Sequence, residues 1–241
     1  MSNLKPYSGE ESKTEQVQNM FDRVARRYDL LNHLLSMGAD IHWRNLTVKQ
    51  ATANKPQKIV DLACGTADLT IALARKALDA ELSGYDLSEG MLEVGRRKVR
   101  AAGLDGRITL EQGNGEALPV ETESADSVTI AFGIRNFEHP ELGLKEMTRI
   151  LRPNGRLVIL EFSMPSNSLF RALYKWYFKN ILPTVAGWIS GDRKAYEYLP
   201  KSVELFPSGQ KFADMMIEQG CKTVTIKSLM GGIAMIYTGI K

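Results

Sequence analysis

At 241 residues the chain suits one α/β domain with an added cap, enough to hide roughly 70–75% of the surface its unfolded form exposes. A formal net charge of only +3 argues against a dedicated nucleic-acid binder, whose basic face dominates the charge count, so no nucleic-acid partner is expected. The two cysteines, Cys64 and Cys221, define neither a disulfide framework nor a zinc spacing. No metal is expected, and a reducing cytoplasm is the simplest setting. Met1 to Ser12 is polar and lacks the apolar core of a signal peptide. No run reaches the ~20 apolar residues a spanning helix needs.

From Gln16 to Leu35 the pattern is helical: Met20, Val24, Tyr28, Leu31 and Leu35 recur at spacings of three and four and share a face. Helical character resumes around Trp43 to Thr52, and Lys55-Pro56 breaks the chain. Short apolar strands then alternate with helical segments. Strands are predicted at Lys58–Leu62, Glu81–Tyr85, Arg107–Gln112, Ser127–Phe132 and Arg156–Phe162, and helices at Asp68–Lys76, Glu89–Ala102 and Pro140–Ile150. Residues 165–200 break the rhythm with an aromatic-rich helical insertion that includes Leu169-Phe170, Trp176-Tyr177-Phe178, Ile181-Leu182 and Trp188-Ile189. A helix at Ser208–Gly220 follows, then strands Thr223–Leu229 and Ile233–Ile240 around Gly231-Gly232. The fold expected is a doubly wound, mostly parallel α/β sheet of seven strands with an antiparallel edge hairpin and a helical cap. It divides into a cap (1–54), an α/β core (55–164), a lid insertion (165–207) and a closing helix and hairpin (208–241).

Ligands of such sheets bind beyond the carboxyl ends of the strands. The first strand ends in Asp61-Leu62-Ala63-Cys64-Gly65-Thr66-Ala67-Asp68. A dinucleotide fold shows G-x-G-x-x-G here, whereas this loop has Gly65 alone, flanked by two carboxylates. Those carboxylates repel a pyrophosphate but suit the ammonium and sulfonium of S-adenosylmethionine. A plain strand-to-helix turn with Asp68 at the helix N-terminus is the alternative. Asp86 ends the second strand, where an acidic residue roughly 20 positions past the first loop binds ribose hydroxyls. An N-cap or solvated turn would look the same. After the third strand, Asn114 can face an adenine amino group and the backbone beside it can serve the ring, although turns favour Asn and Gly anyway. Asp61, Gly65, Thr66, Asp86, Asn114 and Gly115 are thus the candidate cofactor-binding residues.

Taken together, these stretches resemble class I methyltransferases. More narrowly, the chain resembles the family that C-methylates quinones in ubiquinone and menaquinone biosynthesis. Tyr28-Asp29-Leu30-Leu31-Asn32 with Leu35-Ser36 and Trp43 is similar to the family signature Y-D-x-M-N-x-x-hydrophobic-S-x-x-x-H-x-x-W. Phe132-Gly133-Ile134-Arg135-Asn136 matches F-G-[LI]-R-N, and Arg149 to Ser163 is similar to R-V-L-K-P-G-G closing on E-F-S. Tyr198-Leu199-Pro200-Lys201-Ser202 and Phe206-Pro207 also look like family segments. There are departures. Leu31 replaces the signature methionine and Asp40 its histidine, so no role of that histidine carries over. Ala67 replaces a loop glycine. Asn154 also replaces a glycine, and the turn survives because asparagine tolerates left-handed backbone. Ala131 stands where ubiquinone-type relatives can carry a serine that contacts the cofactor.

The resemblance implies methyl transfer from S-adenosylmethionine to a polyprenyl quinol ring, with Arg135 polarising a substrate hydroxyl. A loop salt bridge is the competing reading of Arg135. Tyr28 is a candidate partner of the quinol, although a core role fits equally. Glu161 is either an acid–base partner or a structural hydrogen-bond acceptor. The pattern gives His33, His42 and His139 no role, and structural or solvent-facing places are expected for them. Ala131 tilts the acceptor toward demethylmenaquinol over a benzoquinol; a sterol or phenol acceptor is the alternative outside quinones. Arg171, Lys175 and Lys179 form a basic stripe on the insertion. An ordinary packed amphipathic helix accounts for it, and so does a greasy lid over a prenyl tail that touches anionic lipid as a peripheral contact.

Overall fold

The computed structural model of the protein describes residues 4–180 and 192–241. Ile181-Leu182 and Trp188-Ile189 of the insertion lie outside the described residues, as does the side chain of Lys179. Seven strands form one sheet: β1 (Lys58–Leu62), β2 (Glu81–Asp86), β3 (Ile108–Gln112), β4 (Ala125–Ala131), β5 (Leu151–Phe162), β6 (Thr223–Leu229) and β7 (Ala234–Ile240). Their spatial order is β3-β2-β1-β4-β5-β7-β6. The first five pair in parallel, and β7 runs antiparallel between β5 and β6. The chain leaves β1 outward to β2 and β3, then returns to lay β4 on the other side of β1. The crevice beyond the carboxyl ends of β1 and β4 is therefore the topological switch point, where ligands of this architecture bind.

Alternation along the strands sorts side chains into two cores. Ile59 of β1 faces one cluster with Leu73, Leu82 and Val158, while Val60 and Leu62 face the other with Ile130, Leu144 and Met147. All nine are almost fully buried, and each side chain of this size contributes about 1.5–3 kcal/mol when withdrawn from water. Helices α4 (Asp68–Lys76), α5 (Glu89–Ala101) and α6 (Pro140–Ile150) cross between strands, and α9 (Gln210–Glu218) leads into the hairpin. Ser88 caps α5 by accepting from the Met91 amide, and Pro140 opens α6 where its missing N–H costs nothing.

The N-terminal region is not one helix. α1 (Lys13–Val24) starts at a capping box of Ser12 and Glu15, then Ala25–Arg27 form a single 3-10 turn before α2 (Tyr28–Leu35). No glycine or proline marks the break. The tighter turn rotates the chain only slightly, so Met20, Val24 and Leu31 still reach one cluster. α3 (Ala39–Ala51) begins four residues before Trp43, after Gly38 in left-handed backbone (φ 77°). The insertion contributes α7 (Ser168–Asn180) and α8 (Arg193–Leu205). Tyr174, Ala195, Tyr196 and Tyr198 from these helices close on Met20, Val24 and Leu31, so cap and insertion share a third core above the crevice. Asn154 takes the expected left-handed conformation (φ 65°). Among the described residues no helix is long and apolar enough to cross a membrane.

Candidate active site

The β1 loop turns sharply through left-handed backbone at Ala63 (φ 46°), Gly65 (φ 55°) and Ala67 (φ 65°). An alanine there costs about 1–2 kcal/mol, and strain of this kind is held only where surrounding structure fixes it. Asp86, at the end of β2, supplies part of that fixing: its carboxylate accepts from the Gly65 amide (2.8 Å) and the Ser88 amide (2.9 Å). Burial pushes its carboxyl up to about 6. Each carboxylate oxygen keeps a further lone pair for an incoming hydroxyl.

A hollow opens above this loop, lined by Gly65, Asp86, Gly113, Asn114 and Gly115, with Gly133 and Asn136 opposite. A Cβ built on Gly65 meets nothing nearer than Met91 Cε at 3.7 Å, so the loop faces open space there. Helix α1 roofs the hollow with Val17 and Phe21. It is pinned at both ends. Asp22 accepts from Ser88 Oγ (2.5 Å) and the Gly90 amide (2.9 Å), while Lys13 Nζ donates to the Phe137 carbonyl (2.6 Å). A buried acceptor at a strand end, an open glycine turn and an amide-bearing turn after β3 fit the ribose, amino-acid and adenine parts of S-adenosylmethionine.

Two predicted cofactor residues stand apart from the hollow. Asp61 faces the core side of β1, where it accepts from Thr70 Oγ1 and Thr129 Oγ1 (both 2.6 Å), and burial pushes its carboxyl to about 6. It braces β1 against β4 and α4. Thr66 Oγ1 donates to Asp29 of α2 (2.5 Å), and Lys98 Nζ bonds the same carboxylate at 2.7 Å. Thr66 therefore ties the cap to the loop. Asn114 Oδ1 accepts from the Glu116 amide (2.9 Å), which leaves its side-chain NH2 available to a ligand.

A second cavity of about 380 Å³ lies beside the first. Its wall is mostly apolar and comes from the cap, the β4 turn and the insertion. Phe21, Tyr28, Phe132 and Asn136 line both spaces, so one layer of side chains is all that separates them. Phe132, also left-handed (φ 59°), stacks on Phe162 with ring centroids 4.2 Å apart, and Trp43 packs edge-on to Phe162.

Arg135 sits on this wall, 8% exposed. Its Nη1 donates to Glu161 Oε1 (2.9 Å) and to the Phe132 carbonyl, its Nε to Ser202 Oγ (3.3 Å), and its backbone amide to Glu161 Oε2 (3.3 Å). The guanidinium carbon lies 5.5 Å over the Phe162 ring. Glu161 is behind the arginine, outside the cavity wall, and also accepts from the Phe162 amide (2.8 Å). Burial pushes its carboxyl up against the opposing pull of Arg135. Its geometry is that of a clamp on the guanidinium. Tyr28 lines both spaces, its phenol pushed up by burial and paired with the Asn32 side chain. Asn136 also lines both spaces, a place that the sequence does not assign to it. Its signal is its place as the last residue of the F-G-I-R-N motif.

The histidines lie off the wall. His33 Nδ1 pairs with Asp40 Oδ2 (2.8 Å), His42 is exposed, and His139 is exposed beside Glu141. Asp40, in the place of the signature histidine, is buried and also accepts from Ser36 Oγ (2.7 Å) and Arg44.

Solved structures share this architecture. A methyltransferase described as putative and S-adenosyl-L-methionine-dependent from Methanococcus maripaludis superposes with a TM-score of 0.60 at 19% identity, over 98% of this chain and 96% of that one. An O-methyltransferase family protein from Burkholderia thailandensis gives 0.65 at 16% identity, over 89% of this chain and 59% of that one. The fold is that of S-adenosylmethionine-dependent methyltransferases.

Sequence comparison narrows the class. Residues 9–241 match the ubiE/COQ5 methyltransferase family, and the chain belongs to it. A protein of Bacteroides fragilis named demethylmenaquinone methyltransferase is 39% identical over 99% of this chain and 97% of its own length. One of the same name from Deinococcus radiodurans is 41% identical over 99% and 98%. A ubiquinone/menaquinone biosynthesis C-methyltransferase UbiE from Geotalea uraniireducens is 45% identical over 95% and 97%.

If Asp86 holds the ribose, S-adenosylmethionine should bind more weakly at pH 5 than at pH 7.5. Its carboxyl titrates at about 6, and only the ionised form accepts two hydroxyl donors. Affinity is therefore full above that value and lost below it, by up to roughly tenfold per pH unit. Asp61 titrates in the same range, so Asp86→Asn is the control. Calorimetry at both pH values should show a flat, weak affinity in that variant. An unchanged pH response would remove Asp86 from the ribose site.

Proposed function

We propose that the protein methylates a ring carbon of demethylmenaquinol, with S-adenosylmethionine as donor, to give menaquinol. One observation carries the reading: an apolar cavity with Arg135 on its wall shares Phe21, Tyr28, Phe132 and Asn136 with the cofactor hollow. Bound S-adenosylmethionine supplies an electrophilic methyl group on a sulfonium. An oxidised quinone ring is too electron-poor to attack it, whereas a quinol hydroxyl activates the adjacent ring carbon. The chain's own residues then have three tasks. Arg135 stabilises the phenolate charge that develops on that hydroxyl. Glu161 and Ser202 fix the guanidinium so that no reorganisation is needed when the charge appears. Phe132, Phe162 and Trp43 exclude water and align the ring.

The prenyl tail runs along the part of the cavity lined by exposed apolar side chains. Trp176 (56% exposed), Leu173, Met37 and Met230 both line the cavity and are exposed. This apolar rim supports a peripheral contact with a lipid surface, from which such a substrate must be drawn. The basic stripe contributes less than its spacing suggests. Arg171 is turned back onto the Pro165 and Ser166 carbonyls, and Lys175 pairs with Glu204.

A benzoquinol acceptor is the second reading, favoured by the name of the Geotalea uraniireducens relative. Offered reduced demethylmenaquinone and a reduced benzoquinone precursor together, the purified protein should add a methyl group to the naphthoquinol first, read by product mass. Preferential methylation of the benzoquinol would reverse the assignment.

A further inference from the structure

Trp43, Asn136 and Tyr198 line the cavity, and in each a buried side-chain polar atom, Trp43 Nε1, Asn136 Oδ1 and Tyr198 Oη, has no hydrogen-bond partner among the described residues. An unpaired buried polar group destabilises a fold, so its retention calls for a reason. For Trp43 and Asn136 reasons are at hand. The indole packs against Phe132 and Phe162, and Asn136 belongs to the turn that carries Arg135. Neither reason covers Tyr198. It comes from α8, outside the sheet, and is 4% exposed. Phenylalanine would fill the same space without an orphaned hydroxyl.

Its position is informative. Tyr198 lies one helical turn before Ser202, so the two share a face of α8. Ser202 Oγ accepts from Arg135 Nε at 3.3 Å. Tyr198 itself lines the cavity and lies close enough to Arg135 and Glu161 to feel both charges. One face of α8 thus carries a brace for the guanidinium and an unpaired hydroxyl on a residue that lines the mostly apolar cavity. A prenyl chain offers that hydroxyl nothing, whereas a ring bearing two oxygens does.

We propose that Tyr198 is a substrate-positioning residue whose hydroxyl hydrogen-bonds a ring oxygen of the quinol and so fixes how the ring presents its carbon to the cofactor hollow. This rests on the quinol reading above. Burial pushes the phenol up to about 12, so it stays protonated and can donate throughout the working range. The segment Tyr198-Leu199-Pro200-Lys201-Ser202 thereby acquires a use at both ends, with Tyr198 on the substrate and Ser202 on the arginine.

Tyr198→Phe tests it, with four readouts. KM for the quinol should rise about fivefold, the loss expected for one neutral hydrogen bond, while S-adenosylmethionine affinity stays constant. The melting temperature should hold or rise, because the variant removes an unpaired buried hydroxyl. Two monohydroxy analogues of the ring, each lacking one of its oxygens, should separate in a binding titration. One should bind wild type and variant alike, and the other should still favour wild type. An unchanged KM for the quinol, or a difference that persists with both analogues, would overturn the role of Tyr198. Failure of the wild type to turn over any quinol would instead overturn the functional reading.

Discussion

Arg135→Lys should lose on the order of a hundredfold in turnover while S-adenosylmethionine binds as before. Charge is retained, so the loss has to come from geometry. The arginine fork is held at three points: Glu161 and the Phe132 carbonyl on Nη1, and Ser202 on Nε. That leaves the outer edge of the planar group directed by its neighbours rather than by solvent. A lysine ammonium reaches with one nitrogen. Whichever of these partners it keeps, it cannot also present a second, oriented donor to a phenolate oxygen. The buried ion pair alone predicts a different outcome, because lysine would still neutralise Glu161 and turnover would stay near normal. Truncation to alanine is a poorer test. It strands a buried carboxylate, and breaking such a pair costs about 3–5 kcal/mol, enough to confuse unfolding with lost chemistry. Single-turnover rates and a melting curve on the lysine variant separate the two accounts. Near wild-type turnover would move the charge-stabilising role away from Arg135.

Much of this arrangement is legible in the sequence, for local reasons. β1, α4 and α6 begin and end where the pattern predicts, because small-residue turns, an acidic helix start and Pro140 punctuate them. The antiparallel edge follows from two apolar runs around Gly231-Gly232, and β7 does pair between β5 and β6. The sequence pattern starts β5 at Arg156, since Pro153-Asn154-Gly155 is turn chemistry. The strand begins instead at Leu151, with Ala125 pairing Leu151 across a register shift and the Asn154 amide bonding the Lys241 carbonyl. That partner lies at the far end of the chain and leaves no local trace. The 3-10 break at Ala25–Arg27 is equally silent, because periodicity survives it.

The site divides in the same way. Gly65, Asp86, Asn114 and Gly115 meet on one hollow because each follows its strand. Asp61 also sits at a strand end, but alternation turns its side chain to the core, and only the register with Thr129 on β4 shows what receives it. Glu161 reads as acid–base partner or structural acceptor until its three hydrogen bonds to Arg135 and Phe162 are seen. Tyr198 sits in a segment noted for its resemblance alone. Its unpaired hydroxyl becomes a signal only when α8 is folded over the cavity.

The redox state of the acceptor should have the largest effect of all. The oxidised ring has no hydroxyl to lose a proton and no electron-rich carbon to take a methyl group. Arg135 then meets a neutral carbonyl in place of a developing phenolate, and its stabilisation, which grows with charge in the transition state, has nothing to act on. The difference between the two forms should therefore appear in turnover, not merely in binding. The decisive measurement is an anaerobic incubation of the protein with S-adenosylmethionine and demethylmenaquinone, with and without chemical reductant, followed by product mass. The reduced arm should yield a ring-methylated quinol and the oxidised arm none above background. Equal product in both arms would contradict the account.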